Sequence, residues 1–187
     1  LSEAMAVLPV RVGAQCLEGR PPRIMEAQMI RSYWLLIGGL AFAAPALAAS
    51  PSDFITDAIK GDNSEIMLGK YAAEHGASGE VKQFGRTLAA DHLKAKRQMA
   101  SVARKVGVKP PSGATMEADA ERVKLIALSG KDFDQEFARY MVKDHQSDIA
   151  KFKEEAAAKE GAVSAIAEKQ LPTLEKHLDM AKSLTKS

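Results

Sequence analysis

The sequence is poor in cysteine and in aromatic residues. Its one cysteine is Cys16, upstream of a predicted cleavage site, so we expect no disulfide in the mature protein. Aromatic residues make up 5% of the chain, and no segment shows the alternating pattern of half-buried strands. The fold must therefore depend on packing of aliphatic side chains, or on a ligand that links its secondary-structure elements.

The sequence also has no large excess of positively or negatively charged residues. The chain has 26 Lys and Arg against 24 Asp and Glu, a net charge of +2, which gives no support for a nucleic-acid partner. No Gly-rich phosphate loop and no Ser-His-Asp constellation can be recognised. These absences disfavour a nucleic-acid binder, a nucleotide enzyme and a serine protease.

Residues 29–48 have the layout of a secretory signal peptide. Arg31 follows Met29, an apolar run covers 33–42, and Ala46 and Ala48 form a small-x-small cleavage site. The run is shorter than the ~20 residues of a membrane-spanning helix. We therefore predict export to the periplasm, with residues 1–28 as an unstructured upstream extension and 49–187 as the mature domain. An uncleaved segment, which would give membrane association, is the alternative.

The mature part is rich in Ala, Leu, Lys and Glu, which favours helices. Caps and breakers predict four long helices and one short one. The long helices start at caps on Ser52, on Ser78, on Asp132 and near Val163, and the short one covers about 116–128. The resulting prediction is an all-α, ferritin-like four-helix bundle whose long crossover contains a short extra helix.

Each long helix carries one polar, metal-competent residue on its predicted inner face. These residues are Glu65, His92, His145 and His177, each separated by three or four positions from apolar neighbours. Counted from the turns at ~1.5 Å per residue, all four lie near mid-height of the bundle. Side chains from facing helices at one level can converge on a single point.

A bound cation would satisfy all four groups, because an unpaired buried carboxylate is costly. Three imidazoles and one carboxylate suit a transition-metal ion such as Zn, Cu or Fe. Nearby aspartates are candidates for further ligands or for acceptors of imidazole N–H groups: Asp62, Asp91, Asp144 and Asp148. Asp91 and Asp144 directly precede a histidine and so face the helix seams.

Three stretches together, 54–96, 133–156 and 171–182, resemble the exported bacterial family catalogued as domain of unknown function 4142. The motifs are Glu-x-x-Leu-Gly at Glu65, the two Asp-His pairs, and Leu-Pro-x-Leu-x-x-His-Leu ending at Leu178. The resemblance covers 51–184 and implies a ferritin-like four-helix fold and export. It supplies no activity.

The sequence departs from di-iron ferritin-like proteins. Those sites use Glu-x-x-His on two helices, whereas Ala89 precedes His92 by three and Leu174 precedes His177 by three. A mononuclear ion is therefore expected, unless aspartates turn inward, and Asp148 is the first candidate.

Three functions are compatible with these residues. The leading one is a metal-binding bundle for metal handling or envelope stress. The second is a metal-dependent oxidase, peroxidase or hydrolase, which requires an open coordination position. The third is a non-catalytic envelope interaction module whose buried polar layer fixes helix register. A homo-oligomer is compatible with each of them.

Overall fold

The computed structural model describes residues 50–159 and 161–186. The helices are α1 (Pro51–His75), α2 (Gly79–Lys105), α3 (Met116–Ile126), α4 (Gly130–Ala158) and α5 (Gly161–Leu184). Four long helices and a short one in the crossover confirm the predicted fold class. The predicted extension and signal peptide lie outside the described residues. None of the described helices has the length and apolarity needed to cross a membrane.

Serine and threonine side chains begin three of the helices. Ser78 caps α2, as predicted, by accepting the N–H of Val81, and Thr115 caps α3 in the same way. The cap of α1 is Ser50 rather than the predicted Ser52. Ser50 is the last residue with extended backbone angles, and helical geometry already starts at Pro51, a favoured first position.

The predicted cap of α4 at Asp132 is wrong. The helix begins two residues earlier, at Gly130, whose φ of 60° is a conformation that favours glycine. Asp132 therefore lies inside the first turn, where its charge still favours the helix dipole. The nearby Asp134 accepts the N–H groups of Ala77 and Ser78, so it ties the start of α4 to the α1–α2 turn.

Two glycines let α1 and α2 approach closely, six residues from the ends of the helices at their connecting turn. A Cβ atom on Gly85 would lie 2.5 Å from the carbonyl oxygen of Gly69, and one on Gly69 would lie 2.7 Å from that of Gly85. No side chain fits there, so the backbones are in direct contact. Gly69 is one turn from Glu65, and this close approach brings the inner faces of the two helices together at that level.

The core consists of two apolar clusters. The first contains Phe54, Ile55, Ile59, Met99, Ile149, Phe152 and Leu174. The second contains Leu68, Phe84, Leu88, Phe133, Phe137, Met141 and Ala181. On every long helix the two clusters are separated by a polar position, namely Glu65, His92, His145 or His177. A buried polar layer therefore divides the bundle between two apolar halves.

Candidate metal centre

The polar layer contains the four residues that the sequence singled out. Their exposed fractions are 2% for Glu65, 5% for His92, 1% for His145 and 0% for His177. Core residues one turn away on both sides flank His145 (Met141 and Ile149) and His177 (Leu174 and Ala181), so the helix period directs both rings inward. The bundle thus brings one titratable group from each long helix to its interior.

The three imidazole rings form a tight cluster. Their centroids are 5.9 Å apart for His92 and His145, 5.3 Å for His92 and His177, and 5.5 Å for His145 and His177. One nitrogen of each ring lies within 4.8 Å of one nitrogen of each of the others. Two ligand atoms at about 2.1 Å from one ion are at most about 4.2 Å apart. A small closure of the rings would therefore place all three nitrogens on one ion.

Each imidazole uses one ring nitrogen for a hydrogen bond with a fixed acceptor. His92 Nδ1 lies 2.9 Å from Asp62 Oδ1, and His177 Nε2 lies 3.0 Å from Asp91 Oδ2. His145 Nδ1 lies 3.0 Å from the carbonyl oxygen of Met141. When these nitrogens donate, the tautomer and the ring orientation are both set, as is usual for metal-binding histidines.

The other three nitrogens have no partner. His92 Nε2, His145 Nε2 and His177 Nδ1 are all buried and make no hydrogen bond. A buried acceptor without a partner is costly, and a native protein rarely leaves three of them together. Bound metal would satisfy all three lone pairs, so the donor set fits a transition-metal ion.

The environment keeps these rings in the neutral form that binds metal. Burial lowers the pKa of His145 to about 3, with smaller contributions from His92 and His177. Burial also lowers the pKa of His177 to about 4, although the hydrogen bond with Asp91 opposes the shift. Near neutral pH no proton on these two rings has to be displaced when an ion binds.

Glu65 adjoins the imidazoles without a strong contact of its own. Its Oε2 lies 3.9 Å from His92 Nε2 and its Oε1 lies 3.6 Å from His145 Nδ1. Both oxygens are buried and lack hydrogen bonds. Burial, followed by the charge of Asp144, raises the pKa of Glu65 well above its usual value. A cation would stabilise the ionised form and gain a fourth ligand.

The four aspartates divide into two pairs. Asp62 and Asp91 lie against His92 and His177, so both have the imidazole contacts proposed for such residues. Asp144 instead lies beside Glu65, with one oxygen from each and a nitrogen of His145 all within 4.8 Å of one another. Asp148 is partly exposed and accepts a hydrogen bond from Lys151 at 3.3 Å. Asp144, rather than Asp148, is thus the aspartate grouped with Glu65.

One partner was missed from the sequence. The carbonyl oxygen of Met141 accepts the hydrogen bond that orients His145, whereas the acceptors expected from the sequence were aspartates. The available signal was the four-residue spacing, because a ring on a helix can reach the carbonyl one turn earlier. Which of these residues bind a metal stays a prediction.

The sequence profile of the family described as "Domain of unknown function (DUF4142)" matches residues 40–184. No curated protein gives a significant match to the chain.

Solved structures share the fold. A DUF305 fragment from Deinococcus radiodurans is similar with a TM-score of 0.65 at 17% identity, covering 74% of this chain and 97% of that one. CopM in its Cu(I)-bound form has a TM-score of 0.63 at 17% identity, covering 74% and 96%. CopM in its Cu(II)-bound form has a TM-score of 0.62 at 16% identity, covering 73% and 95%.

Proposed function

The chain belongs to the DUF4142 family, and we propose that it is a periplasmic bundle that binds one transition-metal ion through Glu65, His92, His145 and His177. Metal handling, or protection of the envelope against metal stress, is the role that we assign to it. The three buried, unpartnered imidazole nitrogens carry the proposal, because each belongs to a ring whose other nitrogen is already held.

Copper is the ion that we test first. Imidazole ligands suit Cu, Zn and Fe, and the CopM structures that share this fold are copper-bound forms. Four protein ligands would leave no position for a substrate on a four-coordinate ion, which favours storage or transfer over catalysis. The proposal therefore differs from an oxidase or hydrolase in the number of protein ligands around the ion.

The decisive experiment is metal analysis of the purified full chain. The protein is incubated with copper, zinc or iron salts, passed through a desalting column, and assayed for metal per chain. We expect one tightly held ion, lost in the double variant His92→Gln and His145→Gln. His75→Ala is the matched control, since that histidine is on the surface with 53% of its side chain exposed.

Two results would overturn the proposal. One is a wild-type chain that takes up none of the three ions. The other is a folded double variant, checked by circular dichroism, that retains its metal. A melting temperature unaffected by chelator or by added metal would instead favour a polar layer that only sets helix register.

The predicted export to the periplasm is tested separately. The full-length chain is expressed in a Gram-negative host, the periplasm is released, and the N-terminus of the product is determined. We expect a soluble periplasmic product that begins at Ala49. A product that stays in the membrane fraction with residues 29–48 attached would show an uncleaved anchor instead.

A further inference from the structure

A cleft opens beside the polar layer, between α1 and α4 and under the crossover. It encloses about 350 Å³. Its lining includes four acidic residues and two lysines: Asp57, Glu117, Asp144, Asp148, Lys143 and Lys151. Asp144 belongs both to this cleft and to the group that contains Glu65. The cleft therefore reaches the edge of the buried layer through one carboxylate.

Glu65 presents more ligand capacity than the histidine centre uses. A carboxylate has two oxygens, and Oε2 lies 3.9 Å from His92 Nε2, a histidine nitrogen without a hydrogen bond. The nitrogen near Oε1 is His145 Nδ1, which is already hydrogen-bonded to the Met141 carbonyl. Oε1 is buried and lacks a hydrogen bond, and Glu65 as a whole is 2% exposed. Oε1 is therefore available to bind a ligand that also contacts Asp144.

Lys143 and Lys151 line the cleft, but no lysine or arginine in the described part of the chain forms an ion pair with Glu65 or Asp144. Within residues 50–159 and 161–186, the ion pairs of Glu65 are with histidines only, and Asp144 has none. Lys151 contacts Asp148, farther out in the cleft. Two neighbouring carboxyl groups are costly to ionise together without a counter-charge, and a divalent cation between them would provide that charge.

Gly61 keeps one wall of the cleft open. It lies inside α1, where glycine costs about 1 kcal/mol relative to alanine. A Cβ atom at this position would lie 3.4 Å from Asp148 Oδ2. The absence of a side chain there leaves the space in front of Asp148 accessible from solvent.

We propose that Glu65 and Asp144 bind a second cation at the inner end of this cleft, with Asp148 at its mouth, and that this cation is a hard divalent ion such as Mn²⁺. Carboxylates and water are the ligands that such ions prefer. The inference rests on the proposed function only in sharing Glu65, which would bridge the two ions. The three-histidine centre would keep the softer ion.

Titration with Mn²⁺, followed by the electron paramagnetic resonance signal of the free ion, tests the site. We expect wild-type protein to bind one Mn²⁺ per chain. Asp144→Asn should weaken that binding by about tenfold or more, because affinity for hard cations depends on ligand charge. Gly61→Leu should weaken it too, by filling the cleft while improving helix propensity. Asp119→Asn, at an exposed position on α3, is the control and should bind like wild type.

A third variant separates this site from the histidine centre. His177→Gln removes a copper ligand that is not grouped with Asp144, so Mn²⁺ binding should stay within about twofold of wild type while copper uptake falls. Loss of Mn²⁺ in this variant would show a single shared site and overturn the inference. Mn²⁺ affinity unchanged by both Asp144→Asn and Gly61→Leu would also overturn it. If instead copper fails to bind while the Mn²⁺ results are as expected, the proposed function fails and the cleft site stands.

Discussion

Two carboxylates in this protein, Glu136 and Glu65, have opposite electrostatic surroundings. Glu136 on α4 contacts both Lys124 and Arg139, with Arg139 Nε 2.9 Å from Glu136 Oε2. The pKa of Glu136 falls to about 2, chiefly through the Arg139 hydrogen bond. Glu65 lies beside Asp144, its ion-pair partners within the described residues are histidines alone, and its pKa rises.

This difference distinguishes Glu136, a member of a structural ion-pair network, from Glu65, a carboxyl group that is available to bind a ligand. At Glu136 the chain provides the cations, so the carboxylate is ionised and needs nothing further. At Glu65 the positive charge is missing, while three imidazole nitrogens next to it also lack partners. A perturbed pKa alone does not identify a functional site, but a perturbed carboxylate without its own cation, beside free imidazoles, points to an external one.

The largest expected effect is stabilisation by metal. Copper at about 1,000 times its Kd should raise the free energy of unfolding by about 4 kcal/mol. For a domain of this size that is a rise in Tm of roughly 10 °C. Thermal unfolding of the full chain with and without copper measures it, and chelator should reverse it. An unchanged Tm would show that Glu65, like Glu136, needs no external cation.

Next in size is the effect of Glu65→Gln on the metal-bound protein. Glutamine has the shape of a protonated glutamate, and burial already favours the protonated form of Glu65. Stability without metal should therefore change by less than about 1 kcal/mol. Copper affinity should fall about tenfold or more, equivalent to about 1.4 kcal/mol, through loss of a charged ligand. Isothermal titration calorimetry and metal-free unfolding curves give the two quantities. A large loss of metal-free stability would mean that Glu65 is a structural carboxylate after all.

Glu136→Gln should show the reverse pattern. It breaks the contacts with Lys124 and Arg139, whose side chains are 49% and 58% exposed, so we expect a loss of only about 1 kcal/mol and no change in copper affinity. The folded pKa lies below the unfolded value of 4.5, so this stabilisation is present above pH 4.5 and is lost as pH falls toward 2. The difference in the free energy of unfolding between variant and wild type should be complete at pH 7, smaller at pH 3, and absent only below pH 2.

Much of the bundle and its polar layer follows from helical periodicity. Apolar residues three and four apart identify the inner face of each helix, and they place His92, His145 and His177 on it because burial follows the same period. Turn positions then fix the heights, since each residue advances a helix by a constant rise. Both regularities depend only on residue spacing within one helix, so a single sequence is enough to detect them.

The contacts that depend on helix rotation could not be predicted. Asp144 and Asp148 are one turn apart on α4, and a modest rotation decides which of them approaches Glu65. The pairing of Glu121 with Glu136 depends on where the short α3 packs, and in the sequence both look like ordinary surface charges. Such contacts are set by tertiary packing, which spacing along the chain does not encode.

The last expected effect lies within the structural network itself, at Glu121. This carboxyl is 8% exposed, and its Oε1 is buried without a hydrogen bond. Burial, and then the charge of Glu136, raises its pKa from 4.5 to about 7. The folded state therefore binds a proton that the unfolded state releases, so the stability contributed by protonated Glu121 is complete below pH 4.5 and is lost as pH rises through 7.

Glu121→Gln keeps an uncharged group next to Glu136 at every pH. The two proteins should have similar Tm values at pH 5. Above pH 5, the Tm of the variant should exceed that of wild type by an amount that increases up to pH 9. Parallel Tm curves for the two proteins across that range would contradict the assignment. A gain would show that the repulsion between Glu121 and Glu136 is only partly offset by Lys124 and Arg139. The same repulsion between Glu65 and Asp144, which no lysine or arginine in the described part of the chain contacts, then requires a stronger counter-charge, which a divalent metal ion can provide.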